Sequence, residues 1–373
     1  MHRYASGAGR PWSGQWQGNG RGCDGAQEEA ACRELRTPPS WHSVGGGARI
    51  PADGAPDGDN GTPGGRFMRA VTYDSYAPDN SRLSYGEVAE PKVGPGQVLI
   101  EVRAAAVNPV DWKVMAGGLD GMMDAVFPVV PGWDVAGVVV RTGPDTPEFA
   151  PGDEVMAYAR KDVVQAGTFA EYVAVAAPAV ARKPAALDWV QAAGLPLAGL
   201  TALRSLKRLE VGPGDVLLVH GAAGGVGSMA VQLGRDRGAR VIGTASERNH
   251  AFVEGLGGEP VSYGEGLVER VRALAPDGVS AVADFVGDQL ETTLAVLADG
   301  GRHVSVADPG VEQHGGHWIW VRPDGAELAE LAAAVDRGVL TVEVAQTFPL
   351  ERAGDAFDAS RTGHTRGKLV IVP

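Results

Sequence analysis

At 373 residues the chain is long enough for two domains with a substantial shared core. Its formal net charge of -13 argues against nucleic acid or an anionic membrane surface as a partner, because either would need a basic patch. No stretch approaches the roughly 20 apolar residues of a membrane span, so no membrane partner is expected.

Residues 1–67 differ in composition from the rest. Fifteen of them are Gly, and only Met1, Leu35, Val44, Ile50 and Phe67 supply large aliphatic side chains or Phe. Such a segment cannot offset the entropy of ordering itself, which predicts disorder or a non-native upstream extension, with the working chain starting at Met68. It lacks the apolar core of a secretory signal, and its seven Asp and Glu against seven Arg disagree with an organellar transit peptide. Both cysteines, Cys23 and Cys32, lie here. The body therefore has no disulfide, Cys-ligated zinc or thiol nucleophile, which fits a reducing cytoplasm.

From Met68 the pattern is β-rich, with strands predicted at Arg69–Tyr73, Gln97–Ala104, Asp134–Arg141, Glu154–Tyr158 and Glu171–Val175. After about residue 185, helical stretches such as Leu290–Leu297 alternate with short apolar strands at Val216–His220, Arg240–Thr244, Ala281–Phe285 and Gly301–Val306. That alternation predicts a parallel, doubly wound sheet. A helix at Gly325–Asp336, a strand at Leu340–Val344 and a last strand at Lys368–Val372 complete the expectation. The class is α/β, a β-rich domain followed by a Rossmann domain.

The strongest motif is His220-Gly221-Ala222-Ala223-Gly224-Gly225-Val226-Gly227-Ser228, between the strand Val216–His220 and a helical pattern through Leu233. Glycines let the backbone turn tightly and approach a dinucleotide pyrophosphate, while the helix N-terminus offers unpaired N–H groups. At the end of the second strand, where an NAD-specific site places Asp or Glu, this chain reads Thr244-Ala245-Ser246-Glu247-Arg248-Asn249. The Ser246 hydroxyl and Arg248 guanidinium suit a 2′-phosphate, so NADPH is the expected cofactor; Glu247, near the acidic spacing after Gly227, is read as a solvent-facing turn residue, with selection of NADH as the alternative.

The body, Met68 to Pro373, resembles the medium-chain dehydrogenase/reductase superfamily, in its zinc-independent quinone oxidoreductase and enone reductase branch. The likeness rests on Asn108-Pro109-Val110-Asp111-Trp112-Lys113, Pro131-Gly132-Trp133-Asp134-Val135-Ala136-Gly137, Leu197-Ala198-Gly199-Leu200-Thr201-Ala202, the Gly-rich loop and Arg366-Gly367-Lys368. It implies a GroES-like catalytic domain over 68–195, a Rossmann NADP-binding domain over 196–340 and a C-terminal return over 341–373, with the active site between the domains. It also implies cofactor contacts from Thr201, Tyr263, Val286, Val304, Ser305 and Lys368. Zinc-dependent relatives carry Gly-His-Glu where this chain has Gly132-Trp133-Asp134, and indole nitrogen is not a metal ligand. No metal is expected; His314 and His317 flank Gly315-Gly316 in a polar loop and do not rebuild a site.

Without zinc, a conjugated acceptor is the easier substrate, because charge from hydride addition spreads over an enolate or hydroquinone anion. The resemblance makes Lys113 the candidate oxyanion stabiliser, with a solvated loop lysine as the alternative. In the same segment Asn108 is expected to orient the nicotinamide ribose or the substrate, and Asp111 to fix the local loop and Lys113. Trp112 and Trp133 wall a planar ligand or belong to the core. The expected activity is NADPH-dependent reduction of quinones or α,β-unsaturated carbonyl compounds. Reduction of thioester-linked polyketide-type intermediates, or a catalytically silent cofactor-binding role, are the alternatives. Similar proteins pair Rossmann edges into homodimers, and the alternating His317–Val321 would supply such an edge.

Overall fold

The computed structural model describes residues 66–373, and the expectations for residues 1–65, including Cys23 and Cys32, lie outside the described residues. Three sheets organise the rest. A six-stranded parallel sheet runs in the order Glu259–Ser262, Arg240–Ala245, Val216–His220, Val279–Asp284, Leu297–Ser305, His317–Trp318. Its central strand is apolar on both faces because helices cover both, as a doubly wound sheet requires.

The larger mixed sheet runs Val344–Pro349, Lys368–Val372, Gln97–Val107, Asp134–Thr142, Glu154–Tyr158, Val180–Arg182, with Tyr172–Ala176 also paired to Gln97–Val107. A four-stranded sheet adds Leu83–Ala89, Phe67–Tyr73, Ala125–Val130 and Val164–Ala166. The last strand enters the larger sheet antiparallel to Gln97–Val107, with Leu369 opposite Val107 and Val370 opposite Ala106. That register carries Lys368 to the side of Asn108, 260 residues away in sequence.

Most predicted strands form within a few residues of their expected ends, and the helix Gly325–Asp336 and strand Lys368–Val372 form as read. Two segments differ. The strand expected at Leu340–Val344 begins only at Val344 and continues to Pro349, because pairing with the last strand starts there. Leu340 and Val342 are buried anchors whose alternation imitates a strand without a ladder. Asn108–Lys113, read as a loop, is mostly the helix Pro109–Met115. Asn108 is its N-cap, Pro109 occupies the first turn and Asp111 closes a capping box, a sequence-level start signal that the loop reading passed over.

His317–Trp318 does form the outer edge of the parallel sheet. Among the described residues no helix is long and apolar enough to cross a membrane.

Candidate active site

The carboxyl ends of the parallel strands open into a cleft of about 1250 Å³, closed on its other side by the helix Pro109–Met115, the strand end at Tyr158 and the segment Ser360–Leu369. The Gly-rich loop forms its floor. Gly221 has φ of 75°, and a Cβ on Gly227 would lie 2.1 Å from the Gly221 carbonyl oxygen, so the turn needs Gly at both positions. The helix Gly225–Asp236 starts from Gly224 with no side-chain cap. The first-turn N–H groups of Gly225, Val226 and Gly227 therefore face the cleft without intrahelical acceptors, a cradle that fits a dinucleotide pyrophosphate.

Ala223, Gly224, Gly225, Val226 and Gly227 line the cleft as expected, as do Thr201, Ser246, Arg248, Asn249, Tyr263, Val286 and Lys368. Ser246 Oγ accepts from Asn249 Nδ2 at 3.2 Å, and Arg248 is exposed, donating to the His364 carbonyl at 3.4 Å. Glu247 is exposed and outside the cleft lining.

Three expected cofactor contacts are corrected. Ala222 is fully buried, its N–H bound to the Thr244 carbonyl and its methyl packed beneath Gly243. Val304 and Ser305 are buried below the surface, and the cleft is lined instead by Val306 and Ala307. Ser305 Oγ donates to Asp284 at 2.8 Å and accepts from the N–H groups of Ala307 and Asp308. Asp284 in turn accepts from Val286 and Gly287. These two residues shape the turns that border the cleft, rather than touching what occupies it.

A buried polar knot sits beside the Gly-rich loop, at the start of the helix Pro109–Met115. Lys368 Nζ donates to Asn108 Oδ1 and, at 3.2 Å, to the Val107 carbonyl, and lies 3.8 Å from Asp134 Oδ2. Asn108 Nδ2 donates to the same Asp134 oxygen at 2.9 Å, while the other accepts from the Leu197 N–H at 2.8 Å. Asp111 Oδ2 accepts from the Asn108 N–H at 2.7 Å, and its Oδ1 is buried without a protein partner. Burial dominates the titration of this group. It pushes Asp111 up to about 8, helped by Asp134. It pushes Asp134 up to about 6 against the opposing pull of Lys368, Asn108 and the Leu197 N–H, and it lowers Lys368.

The expectation that Asp111 fixes Lys113 is corrected, since residues two apart on a helix face different ways. Asp111 is buried, whereas Lys113 is exposed on the cleft wall with its ammonium 5.6 Å from the Trp112 ring centroid. Asp111 does brace the Asn108 end of the helix. Trp112 and Trp133 both line the cleft; the Trp112 indole donates to Ser360 Oγ at 3.1 Å, and Trp133 meets Tyr158 edge-on at 6.1 Å.

Tyr158, His220, Trp318 and Trp320 also line the cleft, where the sequence had placed them only in a strand, at the start of the Gly-rich motif and along a sheet edge. His220 is buried, its Nε2 lacks a protein partner, and desolvation lowers it to about 4 against the weaker pull of Asp284, so it is a neutral imidazole near pH 7. Only its place at the end of the strand before the Gly-rich loop signalled it. Among the described residues no group of three or more His, Cys, Asp or Glu is placed to hold a metal.

Comparison with known proteins agrees with this geometry. The alcohol dehydrogenase GroES-like domain model matches residues 94–185, and the zinc-binding dehydrogenase model matches residues 257–371. The chain is 35% identical over 315 residues to the chloroplastic NADPH-dependent alkenal/one oxidoreductase of Arabidopsis thaliana, covering 82% of this chain and 80% of that one. It superimposes on the quinone oxidoreductase of Coxiella burnetii with a TM-score of 0.73 at 33% identity, over 83% of this chain and 100% of that one. A mycobacterial protein solved in complex with NADPH matches with a TM-score of 0.71 at 29% identity, over 82% of this chain and 100% of that one.

The buried carboxyl of Asp111 makes stability pH-dependent with a defined sign. Its folded value of about 8 lies above the ordinary value near 4, so between those limits the folded state holds a proton that the unfolded state has released. Stability therefore falls as pH rises through that window. Asp111→Asn removes the titration and keeps an acceptor for the Asn108 N–H. Its melting temperature should fall less than that of the unsubstituted protein between about pH 5.5 and pH 8, followed by circular dichroism. Parallel curves would assign the slope to other groups. The Lys368 shift has the opposite sign, and replacing Asp111 removes one of the carboxylates that raise it.

Proposed function

The chain belongs to the quinone and enone reductase branch of the medium-chain dehydrogenase/reductase superfamily, and we infer that it is an NADPH-dependent oxidoreductase of quinones or α,β-unsaturated carbonyl compounds. The observation that carries this reading is the meeting of the Gly-rich loop with the Asn108–Lys113 segment across one cleft. Bound NADPH supplies a hydride for the β-carbon of an enone or for a quinone ring.

The chain's own residues bind, orient and compensate charge. The open first turn at Gly225–Gly227 receives the pyrophosphate, and Ser246 and Arg248 receive the 2′-phosphate. Asn108 is held at both ends of its amide, by Lys368 and Asp134, so it presents one fixed orientation to the nicotinamide ribose or the acceptor. Thr201 donates to the Leu197 carbonyl at 2.7 Å and lines the cleft, where its hydroxyl oxygen could still accept a hydrogen bond from the cofactor. Lys113 supplies positive charge from the wall, where oxyanion charge develops on the acceptor. Water delivers the last proton.

We read the reaction as zinc-independent, on the chemistry of the donor set. The Trp133 indole is a donor only, and the Asp134 carboxylate is committed to Asn108, the Leu197 N–H and Lys368. We divide the body into a catalytic domain at 68–195, an NADP-binding domain at 196–340 and a return at 341–373; the pairing of the last strand with Gln97–Val107 supports the return. We also place the protein in the cytoplasm as a homodimer through the Rossmann edge, supported by the cysteine-free body and the edge position of His317–Trp318.

NADPH oxidation measured against a panel of quinones, enones and enoyl thioesters tests the activity, and no turnover with any of them would overturn it. Arg248→Ala should raise KM for NADPH about tenfold to a hundredfold with little change for NADH, since a charge-assisted hydrogen bond is worth about 1.5–3 kcal/mol. Equal effects on both cofactors would assign Arg248 to general electrostatics. Lys113→Met should slow single-turnover hydride transfer about tenfold while NADPH affinity stays constant, less than the loss of an enclosed oxyanion donor because the ammonium is exposed. An unchanged rate would return Lys113 to a solvated surface role. Purified protein should remain active in chelator; stoichiometric zinc whose removal abolishes turnover would defeat the metal-free mechanism.

A further inference from the structure

We propose that Trp318 and Trp320, on the outer edge of the parallel sheet, set the acceptor class by completing an aromatic chamber that selects planar fused-ring quinones over short acyclic enals. The proposal rests on the oxidoreductase reading above. The chain has eight Trp, and of the five among the described residues, Trp112, Trp133, Trp318 and Trp320 all line the cleft. Tyr158 adds a fifth large ring.

Sheet order locates the chamber. The residues for the adenosine end, Ser246 and Tyr263, follow the two strands at one side of the sheet, and the Gly-rich loop follows the next. Val286 and Val306 follow the two strands after that, and Trp318 and Trp320 lie at and beyond the last. A dinucleotide with its adenosine beside Ser246 and its pyrophosphate on the Gly-rich loop would point its nicotinamide toward Val286 and Val306, and the indoles lie one strand further out, on the acceptor side. Trp318 and Trp320 sit two apart in an extended segment, and so share a side, with ring centroids 6.0 Å apart and planes inclined by 50°.

The other two indoles of the cleft are held by their neighbours. Trp112 is pinned by its hydrogen bond to Ser360, and the Arg361 guanidinium lies 5.6 Å from its ring centroid. Trp133 is held edge-on to Tyr158. Rings fixed before binding lose little freedom when a flat ligand stacks on them, and a fused-ring quinone offers a broad face to each. A short enal offers only a few atoms and no extended ring.

The test uses full-length protein with saturating NADPH and four acceptors: acrolein, benzoquinone, naphthoquinone and phenanthrenequinone. The expected kcat/KM rises from the first two to the fused-ring pair. Trp318→Ala and Trp320→Ala should each cut the fused-ring values about tenfold and the acrolein value less than about threefold, with Trp→Phe retaining most of the preference. NADPH affinity should not change, nor should oligomeric mass, because edge pairing of His317–Trp318 would run through backbone groups while the indoles line the cleft.

A ranking that favours acrolein in the unsubstituted protein overturns the proposal while leaving the oxidoreductase reading intact. So do equal losses for all acceptors, or a changed oligomeric mass with an unchanged acceptor preference, which would make the indoles an interface. Should the Ala variants not fold, Trp318→Leu and Trp320→Leu, which keep apolar bulk but remove the ring, decide by the same criteria together with the unsubstituted ranking. Absence of turnover with every acceptor defeats the oxidoreductase reading and the chamber with it.

Discussion

The contact on which the rest of the site depends is the buried meeting of Lys368, Asn108 and Asp134. It joins the cap of the helix Pro109–Met115, the strand after Gly132-Trp133 and the last strand of the chain, and through the Leu197 N–H it reaches the start of the helix that carries Thr201. Both charged partners are driven toward neutrality by burial, so desolvation outweighs their mutual attraction. The pair is costly as a source of stability and effective as a source of geometry. Removing one partner of such a pair costs about 3–5 kcal/mol, because the other is left buried and unpaired.

The same strand that delivers Lys368 also touches the cofactor loop. Gly367 N–H donates to the Ala223 carbonyl at 3.0 Å, and the Lys368 stem fills the space that a Cβ on Gly225 would need. The phosphate cradle and the Asn108 amide are thus referenced to one short segment. A shift of either wall must strain the other, so this contact fixes the spacing between the loop and the Asn108 helix.

On the far side of the loop, Asp284 and Ser305 do comparable work without entering the cleft. Their buried hydrogen bonds hold the turns after two neighbouring strands, and Val286 and Ala307 are exposed to the cleft as a result. The aromatic walls complete the arrangement. Without zinc, as proposed, the site has limited means to polarise a carbonyl, and an acceptor whose charge delocalises would suit what these residues offer.

What the sequence determined by itself was local. The Gly-rich turn, the parallel alternation of strands and helices, the uncharged end of the second strand and the cysteine-free body are all properties of short windows, and their physical meaning does not depend on distant partners. The Asn108 helix was also local, written in its Asn-Pro-Val-Asp start, and the family resemblance drew attention to its chemistry before its capping pattern. What only the tertiary structure decided lies between segments: that Lys368 anchors Asn108 across 260 residues, that Ser305 supports a turn rather than meeting the cofactor, and that Trp318 and Trp320 line the same cleft as Trp112 and Trp133. Side-chain burial and pairing across such separations are set by sheet order and register, and one chain's residue pattern specifies which face is apolar but not which distant group will meet it.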